Sequence, residues 1–197
     1  DTDTVAFTPA ATTIYSLNDV VSIVAGNYAY YTVTRRDQFA NLVTSGPEVL
    51  DLASDSTGLN KKFSLTQGGG SITQVTIPDA GSQVSFYYYD DLTGNWTIDA
   101  SRSGITTGTD SLQVVPASID HFVLSAAADT TAGQRAAYTV TREDIFNNGV
   151  TSGSTTVYLY RAGVADANAE FYDVAVGGSP VTSVDIADTS SSVNFWY

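Results

Sequence analysis

The chain has 197 residues, with eight Lys and Arg against 21 Asp and Glu, which gives a formal net charge of −13. Such an acidic chain lacks the basic patches that bind nucleic acid or anionic membrane surfaces, so neither partner is expected. Without cysteine it forms no disulfide or thiolate metal site, and its apolar runs are only strand-sized, which predicts no membrane insertion in this segment.

Alternation of apolar and polar residues predicts a series of short β-strands and no helix. In residues 83–89, for example, Val84, Phe86 and Tyr88 alternate with residues that point to the other face. The predicted strands are 13–17, 28–35, 48–53, 62–66, 72–77, 83–89, 95–101, 110–115 and 121–125, and the Ala-rich residues 162–170 are predicted as a loop. Short strands at this spacing are typical of an all-β sandwich.

A long internal repeat organises the chain. Residues 31–35 recur as residues 138–142, an offset of 107, and the offset becomes 108 and then 109 further along. A period of this length is that of a whole small domain rather than of a solenoid turn. The small changes of offset are insertions in surface turns. The sequence therefore predicts two tandem domains.

The repeat also predicts where each domain begins and ends. Residues 3–10 match residues 110–117, so residues 1–10 are predicted to be the last strand of a preceding repeat. Residues 11–117 then form a complete repeat, and residues 118–197 form a second repeat that lacks its last two strands, because Tyr197 is the counterpart of Tyr88. Two explanations remain open: the chain is a piece of a longer one, or a neighbouring chain donates the missing strands.

Three motifs of the repeat suggest a family: the strand at residues 31–35, the turn from Asp37 to Asn41, and the strand at residues 94–101. Together they resemble bacterial immunoglobulin-like repeats, as found in invasin-like adhesins and S-layer-type surface proteins. The resemblance implies tandem immunoglobulin-like β-sandwich domains in an extracellular, cell-surface protein. The turn departs from the usual pattern, because Ala40 and Asn147 stand where a Gly is usual.

The function predicted from these features is structural: a stalk, spacer or building block of a fibre, whose partners are neighbouring repeats or copies of itself. The alternative is a polysaccharide-binding or adhesin module that stacks sugar rings on the outward aromatic residues Tyr87, Tyr89 and Trp196. Catalysis is not expected, because the single histidine, His121, replaces Ile14 of the first repeat and no nucleophile motif accompanies it.

Clustered oxygen-bearing side chains make calcium a possible ligand, although no cofactor is required. The candidate residues are Asp37, Asn41, Asp144, Asn148, Asp90 and Asp91. Calcium needs six to eight oxygen ligands, and only two side chains recur in each turn. The favoured interpretation is therefore that Asp and Asn hydrogen-bond their own backbone and shape the turn.

Three further polar features receive weaker predictions. Asn95 begins a glycosylation sequon. Arg35 and Arg142 are expected to form exposed pairs with an Asp. Lys61 and Lys62 suggest a covalent cross-link, but neither recurs in the second repeat, which argues against it.

Overall fold

The computed structural model describes residues 8–126, 129–162 and 169–197, and these residues form strands and turns without any helix. The chain divides into two compact units, Asp1–Val115 (unit 1) and Pro116–Tyr197 (unit 2). The sequence placed this boundary after residue 117. Residues 1–7 of the predicted strand at the start of the chain, and residues 163–168 of the predicted loop, lie outside the described residues.

Unit 1 is built from two sheets whose strand order does not follow the chain. The strands are β1 (Ile14–Leu17), β2 (Ser22–Val24), β3 (Asn27–Arg36), β4 (Glu48–Ser54), β5 (Lys62–Ser64), β6 (Gln74–Ile77), β7 (Gln83–Asp90), β8 (Gly94–Ser101) and β9 (Gly108–Val115). One sheet has the order β1-β3-β7-β5 and the other β2-β9-β8-β4-β6. The chain therefore crosses repeatedly between the sheets, as in an immunoglobulin-like sandwich.

The core of unit 1 lies between these two sheets. Phe86 of β7 and Ile98 of β8 are fully buried, as their alternation predicted. Tyrosine hydroxyls bridge the sheets: Tyr31 donates to Asp110 Oδ2 at 2.7 Å, and the hydroxyls of Tyr88 and Ser54 lie 2.9 Å apart. The all-β, immunoglobulin-like sandwich predicted from the sequence is confirmed by this arrangement.

The sequence missed one strand of unit 1, β2. It has three residues and pairs in parallel with β9, from Ser22 opposite Gln113 to Val24 opposite Val115. Its side chains are exposed or half-buried, so no alternation marks it. Its place at the sheet edge depends on a partner some ninety positions along the chain, which local pattern does not reveal.

Unit 2 repeats part of this architecture. Its strands are β10 (His121–Leu124), β11 (Ala137–Glu143), β12 (Thr155–Tyr158), β13 (Ser183–Ile186) and β14 (Ser192–Trp196). They form a sheet of order β10-β11-β14 and a second sheet of β12 and β13. By position in the repeat these strands correspond to β1, β3, β4, β6 and β7. The described residues of unit 2 contain no counterpart of β8 or β9.

The core of unit 2 is correspondingly smaller. Among the described residues, its main buried cluster consists of Val140, Val184, Ile186 and Phe195. Tyr138, the counterpart of the fully buried Tyr31, is only half-buried. Unit 2 is therefore a sandwich of the same design with one side left open.

Candidate functional site

Each unit contains one completely buried arginine near the end of its longest strand, Arg35 on β3 and Arg142 on β11. Arg35 Nε donates to the carbonyl of Val43 at 2.8 Å, and its Nη2 donates to the carbonyl of Gly81 at 2.7 Å. Arg142 makes the equivalent bonds to Val150, at 2.7 Å, and to Ser190, at 2.8 Å. Each arginine therefore links its strand to two turns through hydrogen bonds made inside the unit.

The prediction that these arginines form exposed pairs with an Asp is wrong. Both have zero exposed surface, and most of their donors bond main-chain carbonyls. Their remaining nitrogens differ: Arg35 Nη1 lies 3.5 Å from Glu48 Oε1, whereas Arg142 Nη1 donates to Thr155 Oγ1 at 2.7 Å. Because Thr155 is the repeat counterpart of Glu48, one unit stabilises its arginine with a charge and the other with a neutral hydroxyl.

The aspartates of the repeated turn act on the backbone. Asp37 Oδ1 accepts hydrogen bonds from the amides of Phe39 and Asn41, both at 2.9 Å. Its Oδ2 accepts from the amide of Ala10 at 3.0 Å and from the Asn41 side chain at 3.1 Å. The carboxylate thus closes the turn and also fixes the segment that precedes β1.

Asp144 repeats this arrangement in unit 2. Its Oδ1 accepts from the amides of Phe146 and Asn148 at 2.9 Å, and its Oδ2 accepts from the amide of Ala117 at 2.9 Å. The Asn148 side chain bonds the same carboxylate. We call the two sets the turn staples: Arg35, Asp37 and Asn41 in unit 1, and Arg142, Asp144 and Asn148 in unit 2.

Hydrogen bonding sets the protonation of both staple aspartates. Burial alone would raise the pKa of the Asp37 carboxyl. The bonds from the Asn41 side chain and from the amides of Ala10, Asn41 and Phe39 outweigh burial and lower that pKa below its ordinary value. The pKa of Asp144 is lowered by the same balance. Both carboxylates are therefore charged at neutral pH and engaged within their turns.

The backbone explains why glycine is usual in this turn. Ala40 has φ of 65° and Asn147 has φ of 66°, in the left-handed region that favours glycine. Asn tolerates this conformation better than Ala because its short polar side chain bonds locally. The departure noted in the sequence is thus a point of backbone strain, which is greater in unit 1.

The staple residues do not form a recognisable metal site in the described residues. No group of three or more His, Cys, Asp or Glu side chains lies close enough together there to hold a metal ion. Asp90 accepts from the Tyr88 hydroxyl at 2.6 Å and from the amide of Leu92 at 3.0 Å. Asp91 accepts from the Asn60 side chain at 2.6 Å. Calcium binding at any of these residues stays a prediction.

Tyr87 and Tyr89 belong to an outward cluster that the sequence only partly revealed. Across β3 and β7 the register sets Tyr28 opposite Tyr89 and Tyr30 opposite Tyr87. The ring centroids of these pairs lie 5.1 and 5.2 Å apart. Lys62 Nζ lies 5.7 Å from the Tyr89 ring centroid, within cation–π range. We call Tyr28, Tyr30, Tyr87 and Tyr89 the tyrosine cluster.

Trp196 lies in unit 2 and has different neighbours from its counterpart Tyr87. It is half-buried and pairs with Ala137 on β11 and with Tyr172 through an isolated bridge. The Arg135 guanidinium stacks on the Tyr172 ring, with its central carbon 3.2 Å from the ring centroid. The three aromatic residues predicted to bind a ligand therefore do not share one surface within a unit.

The remaining polar candidates are separate from one another. His121 Nδ1 lies 3.1 Å from Asp120 Oδ2, and its Nε2 lies 3.5 Å from Glu143 Oε2. Lys61 Nζ donates to the main-chain carbonyls of Ser54 and Ser56. Asn95 is exposed on β8, a position that leaves its side chain accessible for glycosylation, which stays a prediction.

The sequence did not reveal the cleft on the open side of unit 2. It has a volume of about 390 Å³, and its lining includes Tyr138, Val157, Leu159, Phe171 and Tyr197. The internal repeat could have located this cleft. The cleft lies next to residues of unit 2 whose counterparts in unit 1 contact β8.

No protein-family model and no curated protein matches the chain, and its described part contains no helix long and apolar enough to cross a membrane. Among solved structures, the chain is similar to domains 5–6 of the S-layer protein SbsC, with 20% identity over 92% of this chain and 86% of that one and a TM-score of 0.37.

Two adhesins are also similar to the chain. The first is FdeC of Escherichia coli, at 17% identity over 89% of this chain and 56% of that one, with a TM-score of 0.45. The second is InvE of Yersinia pseudotuberculosis, at 16% identity over 94% and 50%, with a TM-score of 0.40. The chain spans about half the length of these two adhesin structures. The two units described above make the chain a tandem of immunoglobulin-like domains.

Proposed function

We propose that this chain is a structural segment of an extracellular surface protein, serving as a stalk, spacer or fibre building block. The proposal rests on the features that recur between the two units. The turn staples repeat their hydrogen bonds to the backbone of the turn in both units, and these bonds lie inside each unit.

The exposed chemical groups do not recur. His121 replaces Ile14, and Lys61 and Lys62 have Ala169 and Glu170 as counterparts. Arg135 and Ala137 stand at the positions of Tyr28 and Tyr30 in the tyrosine cluster. A duplicated catalytic or ligand-binding domain would be expected to repeat its site, whereas a building block has to repeat only its frame. Strand donation between chains would turn such a block into a filament subunit.

The test is surface labelling of intact cells of the source organism with an antibody raised against the full chain. The proposal predicts labelling without permeabilisation, and loss of the signal when intact cells are treated with protease. Labelling that appears only after lysis would contradict it. A matched control antibody against a cytoplasmic protein of the same cells verifies that the cells are intact.

A second candidate function is glycan binding, which the tyrosine cluster favours. Tyr30 is 51% exposed and lies beside Tyr87 on one sheet face, so that ring surface is available to stack on sugars. A glycan array of the full chain tests this candidate, with Tyr30→Ala as the test variant and Trp196→Ala as the matched control in unit 2. Retention that only Tyr30→Ala removes would support glycan binding, and no retention by the unaltered chain would refute it.

We further propose that calcium binds at the acidic turns. Thermal unfolding of the full chain in calcium and in a chelator tests it, with magnesium as the control. A rise in midpoint that depends on calcium concentration would support binding, and identical midpoints would exclude a role for the ion in stability.

A further inference from the structure

We propose that Tyr30 and Tyr87 form an oxidative cross-link site, at which a carbon–carbon bond between the two phenol rings joins β3 to β7. The co-reactant is a one-electron oxidant of the peroxidase class, which uses hydrogen peroxide. The inference goes beyond the proposed function, because it concerns covalent chemistry on one face of unit 1 rather than the role of the chain in a larger protein.

The composition makes tyrosine the main target of such an oxidant. The chain contains 12 Tyr and two Trp but no Cys and no Met, the two side chains for which oxidation is commonest in proteins. An electron removed from this chain is therefore taken mainly from an aromatic ring. The neighbours of that ring then decide which bond the resulting radical can form.

Tyr30 and Tyr87 are direct neighbours across two strands of one sheet. They stand opposite each other in the register of β3 with β7, so their side chains project from the same face. Their ring centroids lie 5.2 Å apart, with an angle of 59° between the ring planes. Among the ring contacts of the described residues, only those within the tyrosine cluster join two tyrosines.

An oxidant can reach this pair, and neither ring is held by its hydroxyl. Tyr30 is 51% exposed and Tyr87 is half-buried. In the part of the chain that the structure describes, neither phenol hydroxyl takes part in a hydrogen bond. Tyr31 and Tyr88 differ, because both are fully buried and their hydroxyls donate to aspartate carboxylates. The rings of the outward pair are therefore free to rotate towards each other.

Lys62 distinguishes the other close pair of the cluster. Its Nζ lies 5.9 Å from the Tyr28 ring centroid and 5.7 Å from that of Tyr89. A cation near the face of a ring makes the removal of an electron from that ring less favourable. Burial and nearby negative charge also raise the pKa of the Tyr89 phenol, which opposes the loss of a proton on oxidation. No cation–π contact among the described residues involves Tyr30 or Tyr87, so oxidation is directed to them.

The cross-link is a two-electron oxidation of the pair. Each phenol gives one electron and one proton to the oxidant and becomes a phenoxyl radical. The two radicals couple through ring carbons next to their oxygens, and the hydrogen on each of these carbons then moves to the oxygen, which restores both aromatic rings. Two hydrogen atoms leave the protein in all, and one molecule of hydrogen peroxide is reduced to two molecules of water.

Proximity favours coupling within one chain over coupling between chains. Because the second ring is held beside the first, its effective concentration is far above that of a neighbouring molecule in dilute solution. The bond joins the two inner strands of the sheet with order β1-β3-β7-β5. In a chain without cysteine it supplies the kind of covalent constraint that a disulfide supplies elsewhere.

Unit 2 is an internal comparison for this chemistry. Ala137 and Trp196 stand opposite each other on β11 and β14, at the repeat positions of Tyr30 and Tyr87. The same place in the second sandwich therefore has no tyrosine pair, and the cross-link is expected in unit 1 alone.

The experiment is oxidation of the full chain in dilute solution with a haem peroxidase and hydrogen peroxide. The expected product shows dityrosine fluorescence, has an intact mass lower by two hydrogen atoms, runs as a single chain on a denaturing gel, and yields a linked peptide pair that contains Tyr30 and Tyr87. Tyr30→Phe or Tyr87→Phe keeps the ring but removes the phenol, and should lower the fluorescent yield by about tenfold or more, because the proximate partner is lost.

Two matched variants control for other tyrosines. Tyr28→Phe changes the cluster without touching the proposed pair, and Tyr160→Phe removes a phenol that is 83% exposed in unit 2. Both should leave the yield unchanged. Oxidation in concentrated urea should abolish the Tyr30–Tyr87 peptide pair, because unfolding separates β3 from β7.

Three results would overturn the proposal. They are a product that links two chains, a bond mapped to another pair of tyrosines, and an unchanged yield from Tyr30→Phe. Persistence of the same peptide pair in urea would overturn the role of the folded geometry. The experiment contains neither cells nor glycans, so surface labelling and glycan retention can each fail or succeed separately.

Discussion

The two units share an internal frame but differ in how their sandwiches are closed. In both, a buried arginine and a hydrogen-bonded aspartate make equivalent hydrogen bonds to the backbone of equivalent turns. Only unit 1 covers its core with β8 and β9. The turn staple therefore forms without strands β8 and β9, because all its contacts lie on elements that precede β8. Four paired substitutions or titrations test this difference between the units.

The largest effect is expected from removing the buried arginines. Arg35→Leu leaves the Val43 and Gly81 carbonyls without a donor and Glu48 without its buried charge partner. Breaking a buried ion pair in this way should lower the free energy of unfolding of unit 1 by about 3–5 kcal/mol. Arg142→Leu should cost unit 2 less, about 1–3 kcal/mol, because Thr155 carries no charge.

Urea unfolding checks this pair. Single-tryptophan chains, with Trp96 or Trp196 changed to Phe, report the two units separately. Equal losses in both units would show that Glu48 contributes nothing to the difference between them.

The next effect comes from two tyrosine hydroxyls at equivalent positions. Burial, reinforced by the bond to Asp110, raises the pKa of Tyr31 above its ordinary value. Tyr31→Phe removes a hydrogen bond to a charged acceptor and should cost about 1.5–3 kcal/mol. Tyr138→Phe should change the stability of unit 2 by less than about 0.5 kcal/mol, since no β9 faces it. Thermal unfolding of the single-tryptophan chains measures both, and a large loss from Tyr138→Phe would refute the open side of unit 2.

Acidification is expected to lower the stability of both units by a smaller amount. The folded-state pKa values of Asp37 and Asp144 are lowered. The stability that they contribute is therefore complete above the unfolded value of about 3.9 and is lost as the pH falls through the folded values. The loss is partial, because a protonated carboxyl keeps some capacity to accept hydrogen bonds.

Unfolding midpoints recorded from pH 6 down to about pH 2.5 check this expectation, with the window set by the ordinary Asp pKa. Both units should weaken in the same pH range, because their staples are alike. Asp37→Asn should flatten the profile of unit 1 alone. A profile of unit 1 that the substitution leaves unchanged would mean that Asp37 is not the group responsible.

The smallest effect concerns the two residues with positive φ. Ala40→Asn should stabilise unit 1, and Asn147→Ala should destabilise unit 2, each by about 1 kcal/mol, because Asn tolerates the left-handed region better than Ala. Reciprocal shifts in urea midpoint are the expected result. Shifts of the same sign in both units would show that the surroundings of each residue, rather than its backbone conformation, determine the change in stability.

Most of the fold could be predicted because its signals are local or repeated. Alternation located β3, β7 and β8 to within a residue or two of their observed ends, and the repeat relates the strands of unit 2 to those of unit 1. β2 was missed because its parallel pairing with β9 leaves no local pattern.

The candidate site was harder to predict than the fold. The Asp37 and Asp144 turns were interpreted from spacing alone, but Arg35 and Arg142 were placed at the surface, since nothing local shows that a charged side chain will meet buried carbonyls. Tyr28 and Tyr30 joined the outward aromatics only through the register of β3 with β7, which depends on long-range pairing.

Hydrogen exchange of the full chain, resolved by residue, tests the central claim most directly. The claim is that the two units share a frame and differ in closure. It predicts that the amides of Val140 and of residue 142, within the frame of unit 2, exchange only through global unfolding of that unit. Amides of Tyr158 and Tyr160 should exchange at least about tenfold faster than those of their counterparts Asp51 and Ala53, which belong to the part of β4 that pairs with β8. Equal protection of these two segments would contradict the account.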